Sequence, residues 1–147
     1  MRITKRTDFA LRVLLYLAVH PGERFSTQQI ASAFGLSLNH LHKVVRDLGE
    51  LGLVTLHRGA KGGVELAKEP AKISVGKVAR AFEDSDALIE CFADENNTCV
   101  ISPGCKLKSV LRGAQDAFFA HLDPVTVADL IRGRANKALR RLLDTDE

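Results

Sequence analysis

Apolar residues recur at helical spacing from the start of the chain. Phe9, Val13, Tyr16 and Leu17 mark one side of a first helix over residues 4–19, and Pro21-Gly22 ends it. Arg2, Lys5, Arg6 and Arg12 dress the other side. Asp8 stands among them, where a carboxylate near a helix start is favoured by the helix dipole. Ser26-Thr27-Gln28-Gln29 has the form of a capping box, and Ile30, Ala31 and Phe34 give a short apolar face behind it. Gly35-Leu36-Ser37 makes a turn, with Ser37 as the next N-cap. The following helix runs to about Leu51, with Leu41, Val44, Val45, Leu48 and Leu51 inward and Asn39, His40, Lys43 and Arg46 outward. The period then changes to that of strands at 53–57 and 64–66, joined by the Gly-rich, basic tip Arg58-Gly59-Ala60-Lys61-Gly62-Gly63. After a link at Glu69-Pro70-Ala71-Lys72, Ser74 caps a helix to Phe82 that turns Val75, Val78, Ala79 and Phe82 to the core.

The second half carries a longer helix. Ser102 as N-cap and Pro103 as first helical residue predict a start there, which places Cys105 in the first turn. Leu107, Val110, Leu111, Ala114, Ala117, Phe118 and Leu122 then form one broad apolar stripe to about residue 122. A stripe of that length in so small a protein needs a partner, and the same helix of a second subunit is the expected one, with packing on its own domain as the alternative. A short helix runs from Pro124 through Leu130, and the charged tail is expected to fray after about Asn136.

These elements give a mainly α fold with a small β wing. A short helix, a Gly-containing turn and a longer helix form a helix-turn-helix, and the hairpin behind it makes a winged helix. The expected division is a winged helix-turn-helix domain over 1–72, then a loop and dimerisation helix over 73–147. With 147 residues, 46% hydrophobic and 27% charged, the chain has the balance of an ordinary globular protein. The apolar run 13–19 is too short for a membrane span, so no membrane partner and a cytoplasmic location are expected.

Charge is uneven along the chain. Residues 1–72 hold 11 Lys and Arg against 6 Asp and Glu, a net +5, whereas 73–147 hold 10 against 12, a net −2. A basic head suits double-stranded DNA. In a helix-turn-helix the start of the second helix reads base edges, which selects Ser37, Asn39, His40 and Lys43. Arg58 and Lys61 on the wing suit the flanking backbone or a minor groove. The Gly-rich tip lacks the spacing of a nucleotide-binding loop. No Cys-x-x-Cys pair or nucleophile–base pair supports an enzyme. The five histidines (20, 40, 42, 57 and 121) are scattered and are expected at the surface or facing DNA.

All three cysteines lie in one polar stretch. Seven residues separate Cys91 from Cys99, and five separate Cys99 from Cys105. Thiolates are soft ligands for zinc, copper or iron–sulfur clusters. Zinc sites favour tighter pairs, so these gaps suit a larger object such as an iron–sulfur cluster, whose remaining ligand is another residue type or an open position. Three unrelated core cysteines or a disulfide fit the polar setting and the odd count less well.

Several stretches together resemble the Rrf-type family of bacterial winged-helix iron–sulfur regulators. They are MRITKRTDFALRVLLYLA, LSLNHLHKVVRDLGELGLV, HRGAKGGVEL, the three-cysteine loop, and CKLKSVL leading to HLDPVTVADL. The resemblance covers essentially the whole chain. It implies a homodimer, a cluster held by Cys91, Cys99 and Cys105, and repression of transcription through operator DNA under cluster control. Thr7-Asp8, Asn39-His40 and CVISPGCKLK are most similar to the family's nitric-oxide-responsive repressors, in which nitric oxide is the signal. There a carboxylate at the place of Asp8, donated from the other subunit, completes a 4Fe–4S cluster, so Asp8 becomes the implied fourth ligand; a 2Fe–2S cluster is the alternative. Another branch uses a histidine three residues after the last cysteine, where this chain has Lys108. The gap after Cys91 also occurs in iron-sensing members, which leaves iron as the second candidate signal. A zinc-stabilised winged helix without sensing is the third reading.

Overall fold

The computed structural model describes residues 3–59, 62–83, 89–92 and 97–144. Helix α1 (Lys5–Val19) opens the fold, and its N-cap Thr4 accepts a hydrogen bond from the Thr7 backbone N–H. Helix α2 (Thr27–Phe34) begins at the capping box that the sequence announces: Ser26 Oγ accepts from the Gln29 N–H, and the Gln29 side chain accepts from the Ser26 N–H. Gly35 ends the helix at φ 60°, where a glycine carries no Cβ penalty. Helix α3 (Leu38–Glu50) follows with Ser37 at its N-cap, although the serine side chain makes no capping bond. Leu41, Val44, Val45 and Leu48 are all buried beneath it, each contributing roughly 1.5–3 kcal/mol. Leu51, expected on that inner face, is 44% exposed because the helix has ended and the chain turns at Gly52 (φ 63°).

The wing is an antiparallel pair, β1 (Val54–His57) with β2 (Gly63–Leu66), in the register Thr55 opposite Glu65 and His57 opposite Gly63. Phe25 forms a further bridge to Val64, so the chain entering α2 lies along the second strand. Among the described residues the fold is thus a winged helix-turn-helix, as expected. Helix α4 (Val75–Glu83) comes next, with Ser74 Oγ accepting from the Lys77 N–H. Val78 and Phe82 join Ala10, Leu14, Ile30, Leu41, Leu48, Ile73 and Val127 in one core, so segments on both sides of residue 72 share it.

Two expectations for the second half are corrected. Residues Ser102–Gly104 form a single 3-10 turn, and helix α5 (Lys106–Leu122) starts only after it. Cys105 is therefore the extended N-cap residue of α5, not part of its first turn. Along α5 only Phe119, outside the expected stripe, is buried within one chain; Leu107 and Val110 stand 61% and 65% exposed. Helix α6 (Val127–Leu130) has its own capping box between Thr126 and Asp129. The tail does not fray at Asn136, because helix α7 (Arg134–Leu143) forms and docks on the end of α1. Leu143 packs against the core, Arg140 donates to the Val19 carbonyl and lies 3.9 Å from Glu23.

His20 explains much of that docking and corrects its expected surface placement. It is 5% exposed, with its ring tilted against Tyr16 and edge-on to Phe25. Its Nδ1 lies 2.8 Å from the Tyr16 carbonyl, and its Nε2 lies 2.8 Å from Asp144 Oδ1. Burial, then Asp144, then Glu23 push the neighbouring Tyr16 phenol up from its ordinary range.

The first turn of α4 packs closely on the residue that ends α5. A Cβ on Gly76 would lie 2.5 Å from the backbone nitrogen of Asp123 and 2.7 Å from its Cα. Asp123 is held there by Arg80 at 2.8 Å and by a Ser74 hydroxyl that donates to its carbonyl. Backbone on both sides leaves nothing flexible to give way. Gly76→Ala is expected to lower stability by about 1–3 kcal/mol, as overpacking does, read as a fall in the urea midpoint. An unchanged midpoint would show that the contact yields freely.

Candidate functional site

Two separate regions carry the residues singled out in the sequence. The first is the start of α3. Ser37, Asn39, His40, His42, Lys43 and Arg46 are all exposed there, while the opposite side of the helix fills the core. The arrangement follows from a helix whose apolar and polar residues alternate with its turn. The start of α1 lies alongside: Lys5, Arg6, Phe9, His40, Lys43 and Val44 line a cleft of about 230 Å³. Arg6 is tied down, donating to Asp47 at 3.0 and 3.1 Å with its guanidinium 5.2 Å from the Phe82 ring. Lys5, which the sequence reading did not select, adds a cation beside Lys43. On the wing, Arg58 is exposed next to half-buried His57; Lys61 lies outside the described residues.

The second region is the cysteine segment. Cys99 and Cys105 line one open cavity of about 920 Å³, with Asn97, Ser102, Lys108 and Arg112 among its other walls. Both thiols are half-buried, whereas Cys91 is buried, in a 3-10 turn at Glu90–Phe92. Phe92 joins this turn to the cavity, because the Arg112 guanidinium sits 4.3 Å from its ring centre. Cys105 sits at the N-cap of a 17-residue helix. Lys108 and Arg112 add positive charge around a donor set that becomes anionic when deprotonated. Soft thiolates in a basic, roomy recess fit an iron–sulfur cluster by donor chemistry. Among the described residues, however, no three His, Cys, Asp or Glu side chains converge into a ready metal cage. Residues 93–96 of the loop fall outside the described residues.

Asp8 is not part of that cavity in its own chain. It lies in the first turn of α1, 42% exposed, and forms a bidentate pair with Arg12 at 2.7 and 3.0 Å. Its helix is instead tied to the end of α4 by Glu83, which the sequence reading missed. One Glu83 oxygen accepts from the Thr4 N–H at 2.7 Å, from the Thr4 hydroxyl at 3.0 Å, and from the hydroxyl of fully buried Thr7. A carboxylate at the end of α4 thus holds the N-terminus of α1. No local pattern marks it, since its partners lie more than 70 positions away.

Comparison with known proteins places this geometry among transcription regulators. A family model described as Rrf2, an iron-dependent transcriptional regulator, matches residues 3–133. The HTH-type transcriptional regulator NsrR of Geobacillus kaustophilus is 46% identical over 144 residues, which cover 97% of each chain. The regulator of the same name from Bacillus subtilis is 45% identical over 135 residues, 91% of this chain and 92% of the relative. Among solved structures, the oxidized form of Staphylococcus aureus CymR matches with a TM-score of 0.71 at 27% identity, covering 90% of this chain and 98% of that one. IscR of T. potens matches with a TM-score of 0.71 at 28% identity, covering 90% and 87%.

Proposed function

The chain belongs to the Rrf2 family of transcriptional regulators, and from that premise we propose that it is a nitric-oxide-responsive repressor controlled by an iron–sulfur cluster. The observation that carries this reading is the thiol-lined cavity at the foot of α5, a helix whose apolar Leu107 and Val110 stand uncovered within one chain. A second subunit is the partner such a face needs. Cys91, Cys99 and Cys105 would hold the cluster, 4Fe–4S in the first instance and 2Fe–2S in the second, with Asp8 of the partner subunit as the fourth ligand. When bound, the cluster supplies iron open to attack by nitric oxide, and its loss is the signal.

The chain's own residues set the response. Residues 1–72 form the DNA-binding head and 73–147 carry the loop and dimer helix. Ser37 at the N-cap of α3 and Asn39, His40 and Lys43 on the helix enter the major groove of operator DNA, and Arg58 and Lys61 on the wing hold its flanks. Before it serves the partner, Asp8 must leave Arg12, to which it is paired in the single chain. Glu83 keeps the N-terminus of α1, and so Asp8, in register with the end of α4. A bond from the head of one subunit to the loop of the other would join the recognition helices to the cluster's presence, a two-state element.

Native mass spectrometry of anaerobically purified protein under stepwise nitric oxide tests the reading. A dimer with four irons and four sulfides per subunit, lost through nitrosylated species, is the expected result. Zinc, or no metal under strict anaerobiosis, would overturn the cluster and leave a winged-helix DNA binder. The description of the matched family as iron-dependent favours a second reading, in which iron supply is the signal. A cluster indifferent to nitric oxide but stripped by chelators would establish it. For the head, Lys43→Ala is expected to weaken operator binding across sequences and to reduce the salt slope by about 1. Unchanged affinity and slope would remove α3 from the interface.

A further inference from the structure

A two-stranded hairpin has little stability of its own, so something must set the angle of the wing against α3. On its inner face Val64 is buried, and its backbone exchanges hydrogen bonds with Phe25 at 2.8 and 3.2 Å. Residues alternate across a strand, so Glu65 points to the other face. There its carboxylate accepts from Arg24 Nε at 2.9 Å and Nη2 at 3.4 Å, and lies 2.6 Å from His57 Nε2. Thr55 is directly opposite Glu65, which makes His57 the diagonal neighbour on the same face, within reach of a long side chain. Arg24 is two residues from Ser26, the cap of α2. One carboxylate therefore joins the entrance of the helix-turn-helix to both wing strands, and it does so beside Arg58.

We propose that Glu65, gripped by Arg24 and His57, is a positioning residue that fixes the wing relative to the recognition helix, so that Arg58 meets the DNA backbone. The inference rests on the DNA-binding reading of the wing. Side chains 27–47% exposed are poorly placed to serve global stability. Arg24 first, and His57 second, hold the Glu65 carboxyl below the usual carboxylate range, so the grip persists at neutral pH. A lone negative charge on a DNA-facing hairpin repels phosphate. Removing it should tighten binding if it acts by charge alone, and should weaken binding if it positions Arg58.

The test is a double-mutant cycle on the full-length, anaerobically purified protein, with a duplex selected by that protein from a randomised pool. Arg58→Ala is expected to cost about fivefold or more in the parent and less than about twofold in a Glu65→Gln background. Glu65→Gln alone should weaken binding by a similar factor with the thermal midpoint unchanged. Glu65→Asp keeps the charge but shortens the reach, and should uncouple Arg58 in the same way. Tighter or unchanged binding by Glu65→Gln, or independent effects of the two substitutions, would overturn the positioning role. No loss from Arg58→Ala in the parent would instead remove the wing from the DNA interface.

Discussion

Cys99→Ala and Cys105→Ala proteins are expected to keep the fold and to hold no cluster. Both side chains are half-buried at the rim of the open cavity, outside the core. Their truncation should change stability by no more than about 0.5 kcal/mol, as for most substitutions away from the core. Their effect on cluster retention should be far larger. In the proposed ligand set, loss of one thiolate would leave two thiolates and the carboxylate of Asp8 from a second subunit, which would also have to break its pair with Arg12. Cys91→Ala should differ: it removes a buried side chain and should cost about 1 kcal/mol in the apoprotein as well. Iron and sulfide analysis beside thermal unfolding of the apoproteins separates the two effects. Parental iron and sulfide in Cys99→Ala or Cys105→Ala would remove that thiol from the ligand set. Zinc in their place would favour the structural-metal reading.

The elements legible in the sequence are those that short-range rules specify. The capping box at Ser26 involves residues three positions apart, and the core face of α3 follows from its period. The wing was legible because glycines and a basic tip interrupt two strand-like runs. What the sequence hid depends on contacts across the chain. Helix α7 reads as a charged tail, and forms against α1 through Arg140, Leu143 and Asp144. His20 looks like one of five scattered histidines, yet its partners on α1 and α7 bury it. Pro103 signals a helix start and instead sits in a 3-10 turn, which moves Cys105 to the N-cap. At the candidate site, the three thiols were visible as a group, but their unequal burial was not. Nor was Glu83, because a carboxylate ending a helix next to other acidic residues looks like ordinary solvated surface.

Phe82→Ala should be among the most damaging single changes in the core, by about 3–5 kcal/mol. The side chain is 1% exposed and is among the largest fully buried groups. It belongs to the last turn of α4, with the Arg6 guanidinium 5.2 Å from its ring, and Arg6 in turn is bonded to Asp47 of α3. Removing the ring would leave a cavity where α1, α3 and α4 meet and would release Arg6 from its apolar floor. The next residue, Glu83, holds the N-terminus of α1, so the same loss would also loosen the hydrogen bonds that tie the end of α4 to the start of α1. Against a total stability of about 5–15 kcal/mol for a typical domain, such a loss should bring the apoprotein close to unfolding at growth temperature. In urea, the midpoint should fall steeply while the slope stays constant. Phe118→Ala, on the less buried side of α5, provides the contrast: its cost should be small in the monomer and should grow with protein concentration if a second subunit covers it. A loss below about 1 kcal/mol for Phe82→Ala would mean that α4 is held by its other contacts, chiefly those with α5, and that α1 and α4 are joined less tightly than this packing implies.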